Sequence, residues 1–214
     1  MTKIRVDTVF GASKFQQKVT DAPASVSIVT AVEIRQYGYR TLAEILRSAR
    51  GFYVNYDRNY SYLGVRGFAR PGDYNTRILL LVDGHRMNDN IYDQALIGTE
   101  FPMDIDLIER VEVIRGPSSS LYGTNAFFAV VNVITKRGGS AKGLEVSVEA
   151  ASFGSYKGRV SYGHRTKRGL ELFVGGSFYD SAGQKRLYFP EFDIAATNDG
   201  IAERADDDQY GQFI

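Results

Sequence analysis

The spacing of hydrophobic residues changes along the chain. Some twenty polar residues with no strong period come first and read as an arm. Ser25-Val-Ser-Ile-Val29 then alternates apolar and polar, as a short strand does. Two helix starts follow, Thr30-Ala-Val-Glu33 and Thr41-Leu-Ala-Glu44. Each has the form of a capping box, in which a threonine hydroxyl takes an early amide and a glutamate reaches back to the cap. In the second, Leu42, Ile45, Leu46 and Ala49 fall on one apolar stripe, Gly51 is placed to stop the helix, and the stripe requires a sheet to pack on. Strands are expected at 52–56, 62–66, 77–82, 111–115 and 129–135. Ile78-Leu-Leu-Leu-Val82 is apolar throughout, as in a strand covered on both faces, and the turn signal Asp83-Gly84 follows it. Residues 104–110, with acidic residues leading, read as a helix of one or two turns. This part is expected to be a small α+β unit.

The small residues from Gly138 to Gly143 read as a connection between domains, after which the period becomes two. Leu144, Val146, Val148 and Ala150 alternate with Glu145, Ser147 and Glu149. Tyr156 to Arg165 and Leu170 to Asp180 repeat the pattern. Strands of about ten residues suit a transmembrane β-barrel, and a soluble antiparallel sheet would give the same alternation. Residues 181–208 read as a long polar excursion, and alternation resumes at Tyr210 as though the chain were cut there.

Composition narrows the field. The chain has 214 residues, 43% of them hydrophobic and 24% charged, which excludes global disorder. A net charge of +1 provides no field to draw it to nucleic acid. The longest uninterrupted apolar run, Ala126 to Val131, falls far short of the roughly 18 residues of a spanning helix. With no cysteine and two histidines 79 positions apart, and with neither a Gly-x-Ser-x-Gly nor a His-Glu-x-x-His motif, no catalytic residues are assigned and no enzyme is expected. No cofactor or metal site is assigned either. The aspartates at 193, 199 and 206 to 208 could offer oxygen ligands to a hard cation, but read first as a solvated loop.

Five ordered blocks carry a resemblance. They are Asp21-Ala-Pro-Ala-Ser-Val26, Leu42-Ala-Glu-Ile-Leu-Arg47, Val65-Arg-Gly-Phe68, Ile78-Leu-Leu-Leu-Val-Asp-Gly-His-Arg-Met-Asn88, and the run from Ile108-Glu-Arg-Val-Glu-Val-Ile-Arg-Gly-Pro117 to Lys136. Together they resemble the plug domain of TonB-dependent outer-membrane receptors. The resemblance implies an α+β plug of small mixed sheet and short helices, followed by antiparallel strands of an incomplete transmembrane β-barrel. In the family that barrel has about 22 strands. It divides the chain into an arm at 1–20, a plug at 21–138 and the first barrel strands at 143–214. It implies energised uptake of a scarce nutrient at the Gram-negative outer membrane: an iron chelate such as a siderophore first, also cobalamin or an oligosaccharide. The partners implied are TonB, the nutrient and outer-membrane lipid, with no nucleic acid. A soluble periplasmic binding module with a plug-like fold is the alternative.

Site residues follow from the same resemblance. Asp7, Thr8 and Val9 loosely resemble the segment presented to TonB, where an extended arm adds to a partner sheet mainly through main-chain hydrogen bonds. Arg66 and Arg115, each beside a glycine turn, resemble the pair that meets glutamates on the barrel wall. Two loops are candidates for the ligand-facing apex: Tyr56, Arg58, Asn59, Tyr60 and Tyr62 in one, Asp89, Asn90, Tyr92 and Asp93 in the other. Tyrosines with Arg, Asn and Asp can grip a polar chelate or a sugar by stacking and hydrogen bonds. Ordinary solvated turns have the same composition.

Overall fold

The computed structural model describes residues 8–9, 17–18, 25–70, 72–141 and 143–214. It folds as two compact units, the first reaching Phe101 and resuming over Ile105–Lys136, the second made of Pro102–Asp104 and Arg137–Ile214.

In the first unit, the short strands β1 (Thr8–Val9) and β2 (Gln17–Lys18) pair antiparallel. β3 (Ser25–Thr30) leads directly into α1 (Ala31–Tyr37), whose cap is the box expected from sequence. Glu33 N donates to Thr30 Oγ1 at 3.3 Å, and Thr30 N donates to Glu33 Oε2 at 2.7 Å. At α2 (Leu42–Ser48) the box is altered. Thr41 still accepts from Glu44 N, but the Glu44 carboxylate reaches one residue further back, to Arg40 N at 2.7 Å. Gly51 does not end this helix. Ala49 does, in extended conformation, and Gly51 takes its left-handed φ of 80° in the turn beyond. Leu42, Ile45, Leu46 and Ala49 are all buried, and α2 packs on the hairpin of β4 (Phe52–Tyr56) and β5 (Ser61–Val65). Each of the larger three stabilises the unit by about 1.5–3 kcal/mol through burial.

The central sheet adds β6 (Ile78–Val82), β7 (His85–Arg86), β8 (Ile108–Arg115) and β9 (Ala129–Thr135), in the order β3-β8-β9-β6-β7. Only β6 and β9 are parallel, which makes the sheet mixed. β9 is buried along its whole length, as a strand of this sequence flanked on both sides should be. Leu79, Leu81, Ile114, Ala126 and Val130 form a core cluster, with Val26, Ile28 and Tyr122 of the short helix α3 (Ser119–Tyr122) against it. The expected helix at 104–110 shrinks to a single 3₁₀ turn, Ile105–Leu107, because from Ile108 the backbone is taken into the ladder opposite Thr135.

Two polar devices fix this sheet internally. Asp83 and Gly84, both at left-handed φ, turn the chain between β6 and β7. Asp83 then clasps the end of β9, Oδ1 accepting Thr135 N at 3.0 Å and Oδ2 the Thr135 hydroxyl at 2.6 Å. Gly84 N donates to Asn132 Oδ1 at 3.1 Å. Glu112, fully buried in β8, accepts Arg110 Nε at 3.0 Å and Nη2 at 2.8 Å, so its charge is paired where burial alone would make it costly.

The second unit is an antiparallel sheet in the order β10 (Gly143–Ala151), β11 (Ser155–Arg165), β12 (Glu171–Ser181), β15 (Asp208–Phe213). The excursion between the last two carries a small hairpin, β13 (Arg186–Tyr188) with β14 (Ile201–Glu203), and two 3₁₀ turns. Polarity across the main sheet is reversed relative to a soluble protein. Leu144, Val146, Val148, Val160, Leu172, Val174 and Phe178 are all exposed, by 44% to 81%. Ser155, Arg159, Ser161, Ser177 and Ser181, on the other face, are buried. Arg159 donates to Glu145 Oε1 at 2.8 Å, and the hydroxyls of Ser155 and Ser181 are 2.7 Å apart. Apolar-out and polar-in alternation is the pattern of a strand facing lipid.

Candidate functional site

The hairpin tip between β4 and β5 is organised by Asp57, which lies inside the loop expected from sequence but outside its named candidates. Its Oδ1 accepts the amides of Asn59 at 2.9 Å and Tyr60 at 2.7 Å, and its Oδ2 accepts the Tyr62 hydroxyl at 2.7 Å. The Tyr60 amide first, then the Tyr62 hydroxyl and the Asn59 amide, hold the Asp57 carboxyl below the usual carboxylate range. In return the Tyr62 phenol is pushed up to about 12, chiefly by its hydrogen bond to Asp57 and then by burial. Tyr56 donates its hydroxyl to the Arg58 carbonyl at 2.7 Å, and Arg58 itself turns at φ 78°.

Of the tyrosines named from sequence, Tyr56 and Tyr60 are exposed while Tyr62 is buried. Tyr62 therefore serves as a wall of the tip. Tyr74, not anticipated, completes an aromatic group, edge-on to Tyr60 at 5.2 Å between ring centroids and tilted against Tyr62 at 5.9 Å.

The second loop is built the same way around Asp89. Its carboxylate accepts the amides of Ile91 at 2.8 Å, Tyr92 at 2.7 Å and Gln94 at 2.8 Å. The Tyr92 amide leads the causes that hold its carboxyl low. Asn90 is exposed, and Ile91 and Tyr92 project into solvent at 82% and 72% exposure. Asp93, at φ 57°, pairs with Arg86. Buried Asn88 anchors the loop to β6, donating to the carbonyls of Ile78 at 3.0 Å and Asp93 at 2.9 Å and accepting Leu80 N at 2.9 Å.

These two loops meet. Asn75, buried between them at φ 62°, donates to Ser61 O at 2.9 Å and Ala95 O at 3.0 Å and accepts Leu63 N at 2.7 Å. No local pattern reveals it, since its partners lie 12 to 20 positions away.

Elsewhere in the same unit, Arg66 and Arg115 are brought into one electrostatic neighbourhood, and Arg50 joins them. Arg115 donates to the Arg50 carbonyl and, at 2.8 Å each, to the hydroxyls of Ser25 and Ser27. Burial, then the charges of Arg50 and Arg66, lower its pKa. Arg66 turns at φ 53° and Gly67 at φ 84°, a left-handed pair that sets the arginine out from a fixed backbone. Of the arm residues, the backbones of Thr8 and Val9 pair with Lys18 and Gln17, while Asp7 lies outside the described residues. Among the described residues no group of three or more His, Cys, Asp or Glu could hold a metal ion, the aspartates at 193, 199 and 206 to 208 included.

The vitamin B12 transporter BtuB of Vibrio vulnificus strain CMCP6 is 31% identical over 179 residues, 82% of this chain and 28% of that protein. The iron-regulated outer membrane virulence protein of Vibrio cholerae is 31% identical over 140 residues, covering 64% of this chain and 21% of that protein. Among solved structures, the pyoverdine outer membrane receptor FpvA from Pseudomonas aeruginosa PAO1 superposes with a TM-score of 0.66 at 20% identity, over 84% of this chain and 25% of that one. The ferric-catecholate import receptor Fiu from E. coli K12 gives 0.63 at 20% identity, over 85% of this chain and 26% of that one. The chain thus spans between a fifth and three tenths of the length of these relatives. The family model described as the TonB-dependent Receptor Plug Domain matches residues 18–130, and the chain belongs to that family.

Proposed function

We propose that this chain supplies the plug and the first wall strands of a TonB-dependent outer-membrane receptor, which takes up a scarce nutrient at the expense of the proton gradient. Its reading by segment is an arm at 1–20, a plug at 21–138 and barrel strands at 143–214. The observation that carries it is the reversed polarity of β10, β11 and β12, where aliphatic side chains stand exposed and serines and an arginine are buried. A soluble binding module would have to cover those aliphatic residues.

The ligand is an iron chelate in the first reading, with cobalamin or an oligosaccharide as further candidates. The relative named as a vitamin B12 transporter supports cobalamin, and the fold neighbours named as receptors for pyoverdine and ferric catecholate support an iron chelate. Tyr56, Arg58, Asn59, Tyr60, Asn90, Tyr92 and Asp93 form the ligand-facing apex, with Tyr62 and Asp89 shaping it from beneath. Asp7, Thr8 and Val9 engage TonB by strand addition. Arg66 and Arg115, with Arg50 beside them, meet carboxylates of the barrel wall, for which guanidinium groups have the right bidentate geometry. No covalent step is required of the chain.

The test is uptake by cells carrying the whole receptor, with labelled cyanocobalamin and ferric catecholate as separate probes. Uptake of one probe that depends on TonB and is abolished by an uncoupler supports the reading. Tyr60→Ala and Tyr92→Ala are expected to raise the half-saturating concentration roughly tenfold, since exposed aromatics carry much of a binding site's energy. Accumulation that persists without TonB would overturn energised transport.

A further inference from the structure

Among the described residues of the first unit, the segment Tyr74–Asn75 stands apart. Two consecutive non-glycine residues take left-handed φ angles, 46° and 62°. Such residues persist only where surrounding contacts over-determine them, and they concentrate at sites of function. The Asn75 amide uses both faces: Nδ2 bonds the hairpin at Ser61 O and the second loop at Ala95 O, and Oδ1 bonds the hairpin again at Leu63 N. The Tyr74 carbonyl adds a fourth bond, accepting Ala95 N at 3.2 Å. Ala95 follows Gln94, whose amide and carbonyl are both bonded to Asp89, the organiser of the second loop.

The consequence is geometric. Each loop has its own internal carboxylate, Asp57 in one and Asp89 in the other, which closes its turn without holding it against the neighbouring loop. What neither carboxylate sets is the position of one loop relative to its neighbour. That is the task left to Asn75, a buried side chain whose two amide hydrogens and carbonyl oxygen are all engaged at the junction. Asparagine suits the position, because its short amide tolerates left-handed backbone and offers two donors and an acceptor at once.

We propose that Asn75 is the positioning residue that latches the hairpin tip 57–62 and the loop 89–94 into one preorganised surface. Resting on the reading of these loops as the ligand apex, the latch lets a ligand contact both without ordering them first.

The test compares the whole receptor with its Asn75→Gly and Asn75→Asp variants. Glycine keeps the backbone angle and removes all three side-chain bonds, whereas aspartate keeps the acceptor for Leu63 N and loses the donors. Amide hydrogen exchange is measured on the ligand-free protein. Exchange within 57–62 and 89–94 is expected to quicken together, roughly tenfold in Asn75→Gly and at least as much in Asn75→Asp, whose buried carboxylate would face the carbonyls of Ser61 and Ala95, while 129–135 in the central strand stays as protected as before. Loosening of one loop alone, or of neither, overturns the latch. Loosening of the central strand as well would make Asn75 a general stabiliser and overturn it equally. Binding of cyanocobalamin and of ferric catecholate then tests the reading beneath. Loops that loosen together with unchanged affinity for a probe the wild type binds would leave the latch standing and remove the ligand apex from these loops.

Discussion

The Tyr62 hydroxyl donates to Asp57 Oδ2 at 2.7 Å, while the other oxygen of that carboxylate gathers the amides of Asn59 and Tyr60. The pair makes the hairpin tip sensitive at both ends of the pH range. Asp57 titrates below its ordinary 3.8 in the fold, so its contribution is complete above that value and is lost as pH falls through the lower folded value. Tyr62 titrates near 12, above its ordinary 10.0, so its contribution is complete below 10 and is lost as pH rises toward 12. In Asp57→Asn the Tyr62 phenol is expected to ionise closer to 10, read from tyrosinate absorbance during alkaline titration. A Tyr62 that still ionises near 12 in the variant would show that burial, not the carboxylate, sets its value.

Thr30→Ala removes the acceptor for Glu33 N at the start of α1. A lost threonine cap costs about 1 kcal/mol. Thermal denaturation followed by circular dichroism should show that loss, and a Thr30→Ser variant should recover most of it.

Asp83→Ala leaves Thr135 without the carboxylate that takes both its amide and its hydroxyl. Unpaired groups of this kind cost about 1–3 kcal/mol each when water cannot replace the partner. Because Asp83 and Thr135 end the two parallel strands, faster amide exchange should appear at the far ends of β6 and β9 and fade toward Ile78 and Ala129.

Val160→Arg places a charge midway along β11 on its exposed apolar face. Arginine near a bilayer midplane costs about 2–4 kcal/mol. The whole receptor carrying this change should assemble poorly in the outer membrane, seen as loss of heat-modifiable mobility on electrophoresis, while Val160→Ile assembles normally. Equal assembly of both variants would show that this face does not meet lipid.

Much of the architecture could be read in the sequence because it is written in local spacing. β4 and β9 fall at the expected residues, and the stripe of α2 is buried at every expected position. Where the sequence reading and the fold part, distant partners often decide. Residues 104–110 have the composition of a helix, but Ile108 finds a ladder partner in Thr135 and the helix gives way to strand. Alternation in the second unit was plain, yet alternation is symmetric, and only the fold shows that the aliphatic set faces outward. Composition points to both loops without singling out Asp57, whose partners lie only two to five positions ahead, in an Asx-type turn. Tyr74 and Asn75 matter through ring contacts and bonds formed after the chain has turned back on itself, and in Asn75 those bonds span 12 to 20 positions.

Among the described residues, β3 is bonded to the sheet along one side, through β8, whereas β8, β9 and β6 each have a strand on both sides. β3 is also the strand that continues the arm. Tension applied through that arm would load first the ladder that begins at Ser25 and Arg115, where the guanidinium grips the hydroxyls of Ser25 and Ser27. The sheet thus has a tear line one ladder wide at its N-terminal edge and a cross-braced remainder behind it. Peeling along that line would strip β3 from β8 rung by rung, starting at Ser25, before it reached the ladders that join β8, β9 and β6.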